Sequence, residues 1–298
     1  MKRHLLYIIA RLLWFLPDRL MLPIQYFIKM HRWLNMSVPQ RFSEKVQYYK
    51  AFGRNRDMLS CVDKYQVRQY VTDRLGTDRY LVPLYQVCNR ADEIDFSTLP
   101  PQVVIKTTDG DDGANVMICR DKSQFNISEA IKTVNSWRNK RYYIISREWP
   151  YRGARQSKVI VEQLLESNDN NDGSIDDYKF LCFDGKFKYL WIDKNRYSDH
   201  RRGFWDEQFR FLPDVVSDHP TFSPDNVPSL PANIEEMRFL AEQLAAGFPF
   251  ARIDFYNIEG RIYFGEITFY PWSGYIRFTP DSFDYELGRH FKLNFPHQ

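Results

Sequence analysis

Apolar and polar residues alternate with a period of two on both sides of Glu259-Gly260. The left arm runs Arg252-Ile-Asp254-Phe and the right arm Phe-Gly265-Glu266-Ile-Thr268-Phe, so the pattern predicts a β-hairpin about a tight turn. Period two puts Ile253, Phe255, Ile267 and Phe269 on one face, as core. Arg252 and Asp254, with Glu266 and Thr268 facing them, fall on the other. Folding the arms about the turn sets Asp254 opposite Gly265 or Glu266. A second hairpin is predicted at Asp184-Gly185, after the strand Tyr178-Lys-Phe-Leu-Cys-Phe. Short apolar strands are predicted at 102–106, ending in Lys106, at 115–119, and at 158–162, running into Glu162. Spacing near 3.6 predicts helices over 44–52, 61–75, 127–138 (with Asn126 as cap) and 233–246. On the second of these, Lys64 and Arg68 are four apart and share a face.

Carboxylates stand in the 250–269 hairpin where core residues are expected. Two carboxylates held close repel unless a cation sits between them. Convergent hard oxygens suit Mg²⁺, which takes one or two carboxylates and completes its shell with phosphate oxygens. A surface hairpin with its polar side in water is the competing reading. Upstream, Lys106 stands at the mouth of a small polar turn bearing Gly110 and Gly113. Such a turn brings backbone N–H groups to a phosphate, and the lysine supplies a point charge.

Strand–Lys–glycine-rich loop, strand–Glu–hinge, then Arg252-x-Asp254…Glu266-x-Thr268 is the order of elements in an ATP-grasp domain. Four further blocks sharpen the match: Val62-Asp-Lys64-Tyr-Gln-Val-Arg68, Arg147-Glu-Trp-Pro-Tyr151, Asp177-Tyr-Lys-Phe-Leu-Cys-Phe-Asp-Gly-Lys186 and Gly265-Glu-Ile-Thr-Phe-Tyr-Pro-Trp-Ser-Gly274. The sequence resembles the TupA-like ATP-grasp family of bacterial surface-polysaccharide and teichuronopeptide biosynthesis, from about Asn35 to about Leu293. The resemblance implies an α+β ATP-grasp fold over residues 36–298. Two α+β lobes would clamp the nucleotide, a small one at about 80–165 and a metal-binding one at about 175–293, after an N-terminal helical segment at 1–35.

The resemblance also assigns roles. Lys64 borders the nucleotide, and Lys106 touches its α- or β-phosphate. Thr107, Thr108, Gly110, Gly113 and Ala114 close over the β- and γ-phosphates. Glu162, Gln163, Leu164 and Leu165 form the adenine hinge, and Glu166 or Asp177 takes the ribose. Lys179, on a half-buried strand face, needs an anionic partner, read here as the phosphates. Asp254 and Glu266 hold Mg²⁺. Most ATP-grasp enzymes carry Asn where this chain has Thr268, which puts that residue's share in doubt. Arg252 would stabilise the anionic intermediate. The substrate candidates are Arg147, His200, Arg201, Arg202, Ser273 and Gly274; the Arg201–Arg202 pair suits a uronate carboxylate.

Composition leaves this picture standing. The 298 residues suffice for two lobes, and 44% hydrophobic with 27% charged residues is ordinary for a folded chain. A net charge of +3 gives no argument for nucleic acid. Cys61, Cys88, Cys119 and Cys182 have no metal-ligand spacing and read as buried thiols in a reducing compartment. The polar run 166–174 reads as a loop. Residues 5–16 are nearly all apolar but contain Arg11 and stop at Pro17, too short for a spanning helix of about 20 residues. That basic, apolar segment suits a bilayer interface; packing on the body or on a second subunit is the alternative.

The expected function is an ATP-dependent carboxylate–amine ligase using ATP and Mg²⁺. A substrate carboxylate would attack the γ-phosphate, and an amine would attack the acyl-phosphate. The product expected from the resemblance is an amide between an amino acid, or other amine, and a uronic acid. The uronic acid would belong to a surface polysaccharide (O-antigen or capsule) or to its lipid-linked precursor. The expected location is cytoplasmic, peripheral at the inner leaflet if the N-terminal segment binds lipid. A glycosyltransferase is the alternative, with Asp109-Gly-Asp111 as its metal-binding Asp-x-Asp. A non-catalytic scaffold would not be expected to keep Lys106, Asp254 and Glu266.

Overall fold

The protein is described here by a computed structural model covering residues 14–109, 115–138, 143–153, 157–167 and 173–293. The chain divides into two compact units. The small unit is Arg56–Tyr142 and Pro150–Glu166; the large unit is Met1–Asn55, Tyr143–Trp149 and Ser167–Gln298.

The small unit is built on a four-stranded antiparallel sheet of β1 (Leu84–Cys88), β2 (Val103–Thr107), β3 (Val116–Cys119) and β4 (Val159–Gln163), in the order β1-β4-β2-β3. Val103, Ile105, Val159 and Val161 bury one face with Val134 and Trp137 of helix Ile127–Trp137. Asn126 caps that helix, its side chain accepting the Glu129 N–H at 3.1 Å. The helix expected over 61–75 is instead two, Asp57–Cys61 and Val67–Leu75. Asp63 explains the break. Its carboxylate accepts the N–H groups of Tyr65 and Gln66 at 2.9 and 2.8 Å, offering the backbone partners outside a helix. Lys64 therefore sits in a turn, not on a helix face with Arg68. Its own N–H donates to Thr108 O at 2.9 Å, tying that turn to the end of β2.

The large unit holds a five-stranded antiparallel sheet in the order β7-β6-β5-β8-β9: β5 (Asp177–Phe183), β6 (Lys186–Lys194), β7 (Arg201–Trp205), β8 (Phe250–Ile258) and β9 (Arg261–Thr268). Both predicted hairpins are present. Asp184 and Gly185 have φ of 53° and 72°, Glu259 and Gly260 of 51° and 82°. Paired positive φ values match the right-handed twist of the strands they join. The apolar side, with Phe180, Ile253, Phe255 and Ile267 all buried, is joined by Met237, Leu240 and Leu244 of helix Ile234–Ala245.

Helix Phe42–Phe52 packs on helix Ser282–His290. Buried Asp284 joins them, accepting from Ser43 N and Ser43 Oγ at 2.8 and 2.7 Å, and from Arg32 Nη2 at 2.9 Å. Burial pushes the Asp284 carboxyl above its ordinary pKa. Helix Asp18–Met30 lies against this assembly through Met21, Leu22, Gln25, Tyr26 and Met30. Of the expected N-terminal segment, residues 1–13 lie outside the described residues; residues 16–34 are built into the large unit. All four cysteines are free and buried.

Leu22 is fully buried, so Leu22→Ala should cost about 3 kcal/mol in chemical denaturation, the range for truncating a core leucine. Deleting residues 1–34 should lower the melting temperature and yield aggregating protein, because it bares the partners of Tyr26 and Met30 and removes Arg32 from Asp284. A truncated chain that melts with the full-length one would contradict this.

Candidate active site

The polar face of the five-stranded sheet carries an ordered set of charges. Register places Trp191, Lys179, Asp254 and Glu266 in one row across β6, β5, β8 and β9. Arg252 and Thr268 are paired one step along. Asp193, Asp177 and Tyr256 form a third row, with Arg202 at its β7 end. The Asp254–Glu266 pairing depends on a register shift beside Asp254. Gly265 is the extra residue of that bulge, and a Cβ there would come within 3.1 Å of Asp254 O. Simple folding about Glu259-Gly260 gives Asp254–Gly265; the bulge turns it into Asp254–Glu266.

Asp254 is grasped from two sides. Arg252 donates Nε to Oδ1 at 2.7 Å and Nη2 to Oδ2 at 2.6 Å, and Lys179 Nζ reaches Oδ2 at 2.8 Å. Arg252 Nη2 also donates to Glu266 Oε1 at 2.6 Å, which Thr268 Oγ1 approaches at 3.0 Å. Lys179 bonds Asp177 as well, and Arg196 Nη1 reaches Asp177 at 3.1 Å. Lys179 was expected to face phosphate; its partners here are Asp177 and Asp254. Burial pushes the Asp254 carboxyl up to about 6, against the pull of Arg252 and Lys179. Burial disfavours the charges of Arg252 and Lys179 too, but their carboxylate partners hold both pKa values above the ordinary range.

Trp191, with Trp272 stacked on it at 4.1 Å, forms an aromatic wall beside these charges. The Arg252 and Arg202 guanidinium carbons lie 4.8 and 5.0 Å from the Trp191 ring centroid. Arg202 forks onto Asp193 at 2.6 and 3.2 Å, and His200 Nε2 lies 3.0 Å from Asp193 Oδ1. Burial would raise Asp193, but the His200 hydrogen bond and Arg202 hold it well below the usual carboxylate range. Arg201 turns away, to Asp199 at 2.9 Å. The proposed substrate trio thus splits: His200 and Arg202 share Asp193, and Arg201 does not. Arg147 is buried and reaches Leu16 O at 2.8 Å and Asp18 at 3.3 Å, so it serves the N-terminal helix.

Ser273 and Gly274 belong to a turn after β9. Trp272, Ser273 and Gly274 have φ of 49°, 56° and 73°, a left-handed path costly for the first two. Fully buried Lys50 holds that turn. Its Nζ donates to Ser273 O at 2.7 Å and to Ser146 O at 2.9 Å, and meets Ser273 Oγ at 2.5 Å. Ser273 Oγ donates to Glu148 Oε1 at 2.7 Å. Burial lowers the Lys50 ammonium to about 8 despite Glu148.

In the small unit, Lys106 and Glu162 share the sheet face opposite the core. Lys106 Nζ lies 2.9 Å from Glu162 Oε2, and Arg68 Nη1 lies 3.2 Å from Oε1. The Glu162 side chain therefore holds two cations, while its backbone pairs with Val104 and Leu84. Gln163 N donates to Pro83 O at 2.9 Å; Leu164 and Leu165 follow, half-buried. Glu166 is exposed and bonds Arg120 at 2.7 Å. Thr107 and Thr108 are buried, and Thr108 exchanges backbone and hydroxyl bonds with Lys158. Gly110, Gly113 and Ala114 lie outside the described residues.

Among the described residues no group of three or more His, Cys, Asp or Glu is gathered for a metal ion. The Asp254–Glu266 pair with the Thr268 hydroxyl is a hard-oxygen donor set facing one side of the sheet, which fits Mg²⁺ shared with phosphate oxygens. Asp193, Arg196, Trp191 and Lys50 were missed from sequence. Period two counted from Asp184-Gly185 pairs Lys179 with Leu190; the register shift between Leu181 and Cys182 is what puts Trp191 beside Lys179 and Asp193 beside Asp177. Nothing in the sequence distinguishes Lys50.

Two antiparallel sheets, one in each unit, with a lysine-bearing strand in the first and an Arg-x-Asp…Glu hairpin in the second, are the elements of an ATP-grasp fold. The sequence matches the TupA-like ATPgrasp family over residues 44–292, and the chain belongs to that family. No curated protein matches it. Solved structures similar to it include D-alanine–D-alanine ligase from Bacillus anthracis, at 17% identity, covering 70% of this chain and 57% of that one, with a TM-score of 0.43. L-amino acid ligase from Bacillus licheniformis matches at 13% identity over 85% and 55%, TM-score 0.47. N5-carboxyaminoimidazole synthetase from Staphylococcus aureus, complexed with ADP, matches at 14% over 70% and 44%, TM-score 0.44. These likenesses are distant, and the chain spans about half the length of the solved structures it matches.

Lys50→Met should cost about 3 kcal/mol in urea denaturation, since it leaves two carbonyls and Glu148 without their buried cation. Unchanged stability would mean that the left-handed turn does not depend on the ammonium.

Proposed function

We propose that the protein is an ATP-dependent carboxylate–amine ligase. It would join an amine, such as an amino acid, to a uronic acid of a surface polysaccharide or of its lipid-linked precursor. The observation that carries this reading is the row Lys179–Asp254–Glu266 with Arg252 beside it, on a chain of the TupA-like ATP-grasp family.

In this reading Lys106 would take phosphate and the backbone after Glu162 the base, while Asp254 and Glu266 would be the Mg²⁺ ligands, with Thr268 beside them. Bound there, the metal would draw charge from the phosphate oxygens. Lys179 neutralises the transferred phosphoryl group. Arg252, already aligned along the carboxylates, stabilises the oxyanion formed when the amine attacks the acyl-phosphate. The carboxylate oxygen attacks the γ-phosphorus and ADP leaves. The amine then attacks the carbonyl carbon, and phosphate leaves with that oxygen. Arg202 beside the Trp191–Trp272 wall is the candidate to orient a uronate-bearing sugar. ATP supply and four unpaired thiols fit a cytoplasmic enzyme. Asp109 of the alternative Asp-x-Asp leads into the loop that this reading gives to phosphate.

Three carboxylates, Asp177, Asp254 and Glu266, already balance Lys179, Arg196 and Arg252. Mg²⁺ alone should therefore shift the melting curve little. ATP or ADP with Mg²⁺ should stabilise the fold by about 2.7 kcal/mol at roughly 100-fold excess over the dissociation constant. Stabilisation by UDP-sugars and not by adenine nucleotides would overturn the reading in favour of glycosyl transfer.

Glu266 is 42% exposed at its side chain, so Glu266→Gln should keep the wild-type melting temperature within a few degrees and abolish ADP formation. Asp254→Asn should abolish it too and cost about 3 kcal/mol in stability, because Arg252 and Lys179 lose their shared buried anion. Wild-type turnover in either variant would contradict the metal assignment.

A further inference from the structure

Helix Asp18–Met30 has two apolar sides, and only one is covered. Met21, Leu22, Tyr26 and Met30 are buried against the large unit, while Leu20, Ile24, Phe27 and Ile28 are 58, 42, 41 and 46% exposed. Trp33 extends the exposed side, with Phe27 stacked on it at 4.4 Å, and Trp14 and Phe15 just before the helix are exposed as well. The helix cannot roll to hide these groups, because polar bonds fix its inner side. Gln25 Nε2 donates to Ile145 O at 3.1 Å and Tyr275 Oη to Gln25 Oε1 at 2.9 Å. Tyr26 Oη and Ser43 Oγ lie 2.9 Å apart. Contiguous exposed apolar surface of this kind marks an interaction site.

Charge identifies the occupant. Residues 1–34 hold six Lys and Arg (Lys2, Arg3, Arg11, Arg19, Lys29, Arg32) against the single Asp18, and with Arg32 paired to Asp281 and Asp284 five remain. A second copy of so basic a segment would be repelled, whereas anionic lipid would be attracted. The sequence just upstream, 5–13, is apolar apart from Arg11, and indole rings at positions 14 and 33 suit the headgroup layer. Among the described residues no helix is long and apolar enough to cross a membrane. We propose that the outer side of helix Asp18–Met30 docks on an anionic bilayer surface, lying in the plane of the interface and holding the large unit against it. This is independent of the ligase reading.

The test is flotation of the full chain with vesicles of phosphatidylcholine alone or mixed with phosphatidylglycerol. The chain should float with the anionic vesicles and much less with the neutral ones, and salt at about 0.5 M should weaken it. The double substitution Leu20→Glu, Ile28→Glu lies on the exposed side. It should lower partition by about tenfold or more, with the melting temperature unchanged. Three results would overturn the proposal: wild-type chain that does not float with anionic vesicles, a folded variant that floats like wild type, or a wild-type dimer in lipid-free gel filtration that the double substitution dissolves. Should the variant melt early, Ile24→Ser read by the same flotation decides.

Discussion

Charge balance on one sheet face is the constraint around which the large unit is organised. Asp177, Asp254 and Glu266 would repel one another across neighbouring strands, and two of them are buried. Lys179, Arg196 and Arg252 hold them at hydrogen-bonding distance. Such a network contributes little net stability compared with an apolar face, since desolvation offsets the attraction. On the proposed ligase reading, a face balanced in this way would take in a divalent cation together with anionic phosphates, and the cations that hold the carboxylates in the free protein would then meet the phosphoryl charge.

Backbone devices make the balance geometrically possible. The turn at Glu259-Gly260 sets the twist, and the Gly265 bulge brings Glu266, rather than a glycine, opposite Asp254. Beyond β9 the chain takes two non-glycine left-handed residues, Trp272 and Ser273, and Lys50 offsets that strain from inside the unit. The turn lays Trp272 on Trp191, next to Arg202 and Arg252. Packing therefore decides where the aromatic wall stands relative to the charges.

Much of this was legible in the sequence. Alternation fixed the faces of the β8–β9 hairpin, and the Glu-Gly and Asp-Gly dipeptides marked both turns, because these signals are local. The order of motif blocks carried the family. What failed was nonlocal or depended on a competing local bond. Asp63 broke a helix that 3.6 periodicity alone would continue. Arg147 looked like a substrate ligand in its motif but is buried against Leu16 and Asp18. The anionic partners of Lys179 are two carboxylates, one of them 75 residues away in sequence. Whether residues 16–34 pack or stay free could not be read from their composition, because the helix has apolar residues on both sides.

The central claim is that the charged face activates a carboxylate by phosphorylation. It is tested most directly by labelling the carboxyl oxygens of a uronate acceptor with oxygen-18, running the reaction with ATP, Mg²⁺ and an amine, and reading the released phosphate by phosphorus NMR. The account predicts one labelled oxygen in inorganic phosphate for each amide formed. Amide formation with unlabelled phosphate, or with the label in AMP, would contradict it.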